Sequence, residues 1–276
     1  DHPEFKGRIV KPWDFIDNDS NAEDDDGHGT HVAGTIAANK NSSPVTGVAY
    51  NAKIMPLDVF KPYWDPNKRK WRPGTSSYYV DKAIRYAVDN GADVINMSLG
   101  GPSGSSSVYS ALKYAESKNV ICVSAAGNSS GSSPGYPAAF ATEYGFAVGA
   151  DNIYKQLTSF SNKAGNNDEM QYVTAPGERV YSSYLYGGYK YLRGTSMASP
   201  HIAGICALLK SHNKSITPAE VKTFLTTSAG NQSISNNLFK LITNSNNNAL
   251  TSSTVESTNK ESSLYSNATI NGTDNN

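Results

Sequence analysis

The chain has 276 residues, and its 24 Lys and Arg residues are balanced by 24 Asp and Glu residues. This neutral balance argues against electrostatic capture of nucleic acid or of an anionic membrane surface. No apolar run approaches the roughly 20 residues that a membrane-spanning helix needs. The length suits one domain with a single large core. Cys122 and Cys206 lie in apolar runs, so both are predicted to be buried thiols rather than a disulfide.

Short apolar runs alternate with helical patterns along the first 150 residues. Because this alternation is typical of βαβ units, the sequence predicts an α/β fold with a doubly wound, mostly parallel sheet and helices on both faces. Ligands of such sheets bind at the carboxyl ends of the strands, where loops meet helix N-termini. The predicted strands cover residues 52–59, 93–97, 120–124 and 146–149, and the predicted helices cover residues 80–88 and 108–117.

From about Asn231 the composition changes to Asn, Ser and Thr with few large apolar residues. Such a segment cannot bury enough apolar surface to offset the entropy of ordering. We therefore expect a domain over residues 1–230 and a flexible tail or linker over residues 231–276.

Three motifs indicate acyl-transfer chemistry. Ser196 lies in Gly-Thr-Ser-Met-Ala-Ser-Pro-His ahead of an apolar run, and His28 opens His-Gly-Thr-His-Val-Ala-Gly. Both residues are predicted at helix starts. A serine hydroxyl needs a neutral imidazole to take its proton, and the resulting oxyanion needs hydrogen-bond donors. Asn128, after a predicted strand in Ser-Ala-Ala-Gly-Asn, could supply one such donor from its side chain.

With these motifs the chain resembles the subtilisin-like serine proteases over nearly all of residues 1–230. The resemblance implies a serine endopeptidase in which Ser196 is the nucleophile, His28 the general base and Asn128 an oxyanion donor. It also places the triad aspartate about half a dozen residues before Asp1, since this family has the order Asp, His, Ser. We therefore expect the sequence to be a fragment that begins after that aspartate. The acidic residues 24–26 are expected to line the cleft without orienting the imidazole.

The same resemblance implies where a peptide substrate would bind. An extended peptide would lie as an added strand between two segments and place the side chain on the acyl side of the scissile bond in a roomy pocket. The acidic loop 24–26 beside the base either favours a Lys or Arg one position further from the scissile bond or is only a solvated acidic loop, and we favour the solvated loop. A basic, aromatic segment, residues 61–73, either borders the substrate edge strand or is only a surface loop, and we favour the surface loop. The strand-binding residues are Gly74, Thr75, Ser76, Ser98, Leu99 and Gly100, and the pocket residues are Ala125, Ala126, Gly127 and Gly135.

A structural Ca²⁺ site is the expected cofactor site. Glu4 matches a carboxylate ligand of the family and Asn41 matches an amide ligand from the loop 39–45, and hard oxygen donors of this kind suit Ca²⁺. The expected partners are a peptide or protein substrate and an inhibitory propeptide, with no nucleic acid and no membrane, and the protein is expected to be a monomer. The resemblance favours a secreted or extracytoplasmic enzyme, although an intracellular one stays open.

Two alternatives to a working endopeptidase stay open from the sequence. A chain that truly lacked the aspartate would be a nearly inert, peptide-binding pseudoprotease. A peptide ligase or macrocyclase would use the same acyl-enzyme but transfer the acyl group to an amine instead of water.

Overall fold

The computed structural model describes residues 2–66 and 69–229. One compact unit comprises Asp1–Lys222, and a second unit begins at Thr223. The predicted tail, residues 231–276, lies outside the described residues, so the predicted boundary at residue 230 stays a prediction. In chain order the helices are α1 His28–Ala37, α2 Ser77–Asp89, α3 Ser106–Ser117, α4 Thr195–His212 and α5 Pro218–Ser228. The strands are β1 Trp13–Asp14, β2 Leu57–Asp58, β3 Lys61–Asp65, β4 Lys70–Gly74, β5 Val94–Met97, β6 Ile121–Ala125, β7 Phe146–Asp151, β8 Tyr172–Pro176, β9 Val180–Ser183 and β10 Tyr189–Leu192.

The central sheet is parallel and has the strand order β5-β6-β7-β8. Its register pairs Ile95 with Cys122, Ser124 with Ala147, and Val148 with Val173. Strands β6 and β7 are buried along almost their whole length. They consist mainly of small and apolar residues, as expected for a sheet that is covered on both faces.

Helices cover both faces of this sheet. On one face α4 packs against all four strands. On the other face α2 and α3 pack together over β5 and β6, in a buried cluster that includes Ile84 of α2, Leu112 of α3 and Cys122 of β6. The sequence-based prediction of an α/β fold with helices on both faces is confirmed.

Most predicted elements are present, with small shifts at their ends. The exception among the strands is residues 52–59. In that segment Ile54 forms an isolated bridge with Ile9, and only β2 is a strand, which pairs with β1. Residues 61–73 are exposed wherever their side chains are described, which agrees with a surface segment, but β3 and β4 form an antiparallel hairpin instead of an irregular loop. The register pairs Lys61 with Gly74 and Trp64 with Trp71. The pattern of the hairpin was hidden by Pro62 and Pro73, because proline is seldom found inside a paired strand.

Cys122 and Cys206 are both free and buried, as predicted. Burial raises the pKa of each thiol to about 12, since a thiolate would lose its solvation there. Within residues 2–66 and 69–229, no helix has the length and apolar character needed to cross a bilayer.

Candidate active site

Ser196 is the second residue of α4, and a hydrogen-bond network fixes its peptide group. A proline inside a helix leaves the carbonyl four residues earlier without its usual N–H partner, and Pro200 does this to the carbonyl of Ser196. The hydroxyl of Ser98, just after β5, donates to that carbonyl at 2.8 Å. The Oγ of Ser196 in turn lies 3.3 Å from the carbonyl oxygen of Ser98. Ser196 is thus tied to the carboxyl end of the sheet.

The side chain of Asn128 is held in one orientation by Thr195. Its Oδ1 accepts hydrogen bonds from the backbone N–H of Thr195 at 2.8 Å and from the Thr195 hydroxyl at 3.1 Å. Because Oδ1 is the acceptor in both, the Nδ2 group of Asn128 is turned the other way and remains available as a donor.

Gly194 lies beside that donor. A Cβ atom built on Gly194 would lie 3.3 Å from Asn128 Nδ2 and 3.7 Å from the backbone nitrogen of Ser196. The side-chain amide and the first-turn N–H therefore lie around one small space that only a glycine leaves open. The φ angle of Gly194, 146°, is also one that residues with a Cβ rarely adopt. Two donors around one space beside a serine form an arrangement suited to a developing oxyanion.

His28 is the first residue of α1, as predicted, and it is partly buried. Burial lowers the pKa of its imidazole, while the negative charges of Asp26 and, more weakly, Asp24 act to raise it. The net direction is downward, which keeps the ring neutral and able to accept a proton near neutral pH. Within the described ranges, no carboxylate is hydrogen-bonded to the ring of His28.

Asp24 has a structural function that the sequence analysis did not foresee. Its carboxylate accepts hydrogen bonds from the backbone N–H groups of Asp26, Gly27 and Thr30, and from the Thr30 hydroxyl. It therefore satisfies N–H groups at the start of α1 that no helical carbonyl can reach, and it places negative charge at the positive end of the helix. The position of His28 depends on this cap.

A second set of contacts fixes α1 from the side. The hydroxyls of Ser182 and Ser183 in β9 donate to the carbonyls of His31 and Thr30. A Cβ atom on Gly34 would lie 2.1 Å from the Ser183 hydroxyl, so the small residues of the helix are what allow this approach. His31 is fully buried, and its Nε2 lies 3.0 Å from the carbonyl oxygen of Val180 in β9.

The predicted substrate-binding residues lie on separate elements. Ser98, Leu99 and Gly100 follow β5, and the segment continues to Gly101, which exchanges two backbone hydrogen bonds with Tyr136. Gly135 donates to the carbonyl of Ala126 at 2.8 Å, which brings these predicted pocket residues together. The remaining residues are placed as follows: Ala125 and Ala126 are buried at the end of β6, Gly127 follows them at a φ of 108°, and Gly74, Thr75 and Ser76 join β4 to α2.

Glu4 and Asn41, which are distant in sequence, lie together. Glu4 is 2% exposed, and its Oε2 accepts from the backbone N–H of Asn39 at 2.9 Å and from Asn41 Nδ2 at 3.3 Å. Its Oε1 accepts from the hydroxyl of Tyr189 at 2.6 Å. Burial raises the pKa of Glu4, but hydrogen bonds from Ser43, Tyr189 and the 39–41 loop outweigh that effect and lower the pKa below its ordinary value. Within the described residues, no group of three or more His, Cys, Asp or Glu side chains could hold a metal.

Sequence reasoning missed two polar residues, the partly buried Asn96 and the buried Asn162, that support the site. Asn96 accepts from the Ser199 hydroxyl at 2.7 Å and donates to the Ser98 hydroxyl at 3.0 Å, which extends the network at Ser196 across β5 and α4. Asn162 donates to the carbonyl of Ala126 and accepts from the N–H of Gly131, so it shapes the loop that carries Asn128. Single polar residues of this kind have no sequence signal of their own.

An α/β sheet with a serine at one helix start, a histidine at another and an amide donor beside the serine defines a serine hydrolase. A model of the subtilase family matches residues 1–266. The chain belongs to the subtilase family and is a subtilisin-like serine endopeptidase.

Individual proteins agree with this assignment. The chain is 39% identical to thermitase from Thermoactinomyces vulgaris over 215 residues, which are 78% of this chain and 72% of thermitase. It is 37% identical to the major intracellular serine protease of Bacillus subtilis over 222 residues, which are 77% of this chain and 65% of that protein. The crystal structure of a cold-adapted subtilisin-like serine proteinase matches with a TM-score of 0.71 and 34% identity. The match covers 86% of this chain and 80% of the proteinase chain.

Proposed function

We propose that this protein hydrolyses internal peptide bonds through an acyl-enzyme formed on Ser196. His28 removes the proton from the Ser196 hydroxyl as Oγ attacks the carbonyl carbon, and it then gives that proton to the leaving amine. A water molecule, deprotonated by the same imidazole, releases the acyl group. The observation that carries this proposal is the space bounded by Asn128 Nδ2 and the backbone N–H of Ser196.

Both donors of this space are fixed before the substrate arrives. Asn128 is oriented by Thr195, and the N–H of Ser196 belongs to the first turn of α4. Donors that need no rearrangement stabilise the charge that develops on the carbonyl oxygen at no reorganisation cost. The residue that orients His28 is, by resemblance to the family, an aspartate preceding Asp1, and it stays a prediction.

The substrate is proposed to bind as an extended strand between residues 98–100 and residues 74–76. The extended course of residues 98–101, held by Tyr136, supports this arrangement on one side. Small residues around Gly135 and Ala126 favour a large apolar side chain on the acyl side of the bond. Asp24 is occupied by its cap hydrogen bonds, so a preference for a neighbouring Lys or Arg would come from the exposed Asp25 and Asp26.

Calcium is proposed to bind at Glu4 and Asn41. The buried carboxylate of Glu4 faces the 39–41 loop and would supply oxygen ligands of the type that Ca²⁺ prefers. The side chain of Asn41 donates to Glu4 through Nδ2 and accepts from the N–H of Ser43 through Oδ1, so its amide would turn to bring Oδ1 to the ion. Binding would hold that loop against the chain's N-terminal segment. Subtilases commonly bind calcium, which supports the same assignment.

Thermal unfolding with and without calcium tests this site. At 100 times its Kd, a ligand adds about 2.7 kcal/mol of stability, which corresponds to roughly 5 to 10 °C in Tm for a domain of this size. We expect EDTA to lower the Tm of the wild type and to have little effect on Glu4→Gln, with the exposed Glu169→Gln as a matched control. An unchanged wild-type Tm in EDTA would contradict the proposal.

Covalent labelling tests the catalytic proposal. A fluorophosphonate reacts only with an activated serine, so it should label the wild type and leave Ser196→Ala unlabelled. Mass spectrometry of the products from an internally quenched peptide then identifies the acyl acceptor. Two fragments that together contain one added water indicate hydrolysis, whereas a joined or cyclic product indicates a ligase, and absence of label indicates a binding protein without activity.

A further inference from the structure

The β3–β4 hairpin is a strongly basic segment next to the proposed substrate strand. Residues 61–74 contain five Lys or Arg residues and a single Asp, in a chain whose total charge is zero. Lys61 and Arg69 are exposed, and within the described residues neither makes an ion pair. Tyr63 and Trp64 are 45% and 49% exposed. The hairpin thus combines positive charge with exposed aromatic surface.

The position of the hairpin relates it to the cleft. β4 ends at Gly74, and the chain continues directly into Thr75 and Ser76, the proposed edge for the substrate strand. A strand of five residues is about 17 Å long, which is the reach of about five residues of an extended polypeptide. Because β4 runs directly into this edge, a substrate extended along residues 74–76 away from the scissile bond would pass beside the hairpin.

The charge around the hairpin differs from that beside the base. Residues 14–26 contain seven carboxylates and no Lys or Arg. The register of β1 and β2 places Asp14 opposite Asp58, three residues before the hairpin begins. Negative charge therefore lies at the foot of the hairpin and near His28, and the exposed cations Lys61 and Arg69 lie at the start of β3 and just before β4.

We propose that the β3–β4 hairpin binds an acidic segment of the polypeptide substrate, on the acyl side of the scissile bond and beyond the residues held at 74–76. This inference rests on the proposed peptidase function and deepens it by naming the substrate class. Complementary charge accelerates encounter and selects among partners more than it strengthens a bound complex, and it is screened by salt. The hairpin would thus lower KM for acidic substrates and leave the chemical step unchanged.

Peptides that differ only in their distal charge test this inference. Three internally quenched peptides share one cleavable core and carry four Asp, four Ser or four Lys residues on the amino-terminal side of a short Gly-Ser spacer. We expect the wild type to show a KM roughly five-fold lower for the Asp peptide than for the Ser peptide at low ionic strength. The kcat values should agree, and 0.5 M NaCl should remove most of the difference.

A charge reversal makes the test directional. In a Lys61→Glu/Arg69→Glu variant the KM of the Asp peptide should no longer be lower than that of the Ser peptide, and the KM of the Lys peptide should fall. The matched control, Lys113→Glu/Lys118→Glu on the exposed face of α3, should retain the wild-type order of KM values. The proposal would be overturned if the hairpin variant kept the wild-type order of KM values, or if the control variant changed that order equally. Thermal melting of each variant checks that the fold is retained.

Direct binding separates this inference from the catalytic proposal. With Ser196→Ala, fluorescence anisotropy should show tighter binding of the Asp peptide than of the Ser peptide, whether or not the wild type cleaves either. Cleavage of all three peptides with equal KM would leave the peptidase function intact and overturn the role of the hairpin. A single-stranded oligonucleotide that binds through Lys61 and Arg69, with no preference among the peptides, would instead assign the hairpin to nucleic acid.

Discussion

Replacing Asn128 separates two functions that we propose for one side chain. Its Oδ1 accepts two hydrogen bonds from Thr195, and its Nδ2 faces the space beside Ser196. Asn128→Asp keeps an acceptor for Thr195 but removes the donor. Asn128→Ala removes both. The two variants should therefore lose the same activity but differ in stability.

The magnitudes follow from these contacts. Loss of one oxyanion donor costs about 10²- to 10³-fold in kcat, or about 3 to 4 kcal/mol, a cost measured on the corresponding donor in subtilisin itself. Both variants should show a fall in kcat of this size with little change in KM. Two lost hydrogen bonds at about 1 kcal/mol each should lower the Tm of Asn128→Ala by about 4 to 8 °C. Asn128→Asp should melt within about 2 °C of the wild type.

The assay is steady-state cleavage of one neutral quenched peptide, combined with calorimetric melting. The control is Ser132→Ala, a substitution at an exposed loop residue. Gly194→Ala gives an independent check, because its methyl group would lie 3.3 Å from Asn128 Nδ2 and strain the backbone at a φ of 146°. It too should lower kcat. A folded Asn128→Asp variant whose kcat lies within tenfold of the wild type would refute the assignment of Asn128 as an oxyanion donor.

Two further substitutions give distinct signatures. Asp26→Asn removes a negative charge that raises the pKa of His28, so the pKa of His28 should fall and the acid limb of the pH profile of kcat/KM should move to lower pH. Asp25→Asn is the control, because the charge of Asp25 is not among those acting on His28. A shift of the acid limb to higher pH in Asp26→Asn would contradict the argument. Ser98→Ala leaves the carbonyl of Ser196 without the donor that replaces its helical partner, which should cost about 1 to 3 kcal/mol in unfolding free energy by denaturant titration. An unchanged unfolding midpoint would show that water replaces the hydroxyl.

The catalytic helices could be predicted because their signals are local. His28 and Ser196 each precede a run of small and apolar residues, and each lies in the first turn of the helix that this pattern predicts. The buried strands β6 and β7 have nearly continuous apolar runs and were found for the same reason.

The missed features depend on contacts between distant residues. Asp24 looks like one member of an acidic loop, and only the fold shows that its carboxylate caps α1. The Asn96–Ser199 contact joins residues about a hundred positions apart, and neither residue carries a motif. The β9–β10 hairpin and β8 were also missed, since their polar, tyrosine-rich sequences lack a strong apolar period.

The way the β3–β4 hairpin joins the rest of the chain has an evolutionary consequence. Its two ends, Lys61 and Gly74, are paired neighbours in the register, so the segment leaves and re-enters the fold at nearly one point. Its length and composition can therefore change without displacing β2, α2 or the catalytic helices. Selection can vary substrate range at this position while the reaction machinery stays as it is, and an engineer could exchange the hairpin as a module for the same purpose.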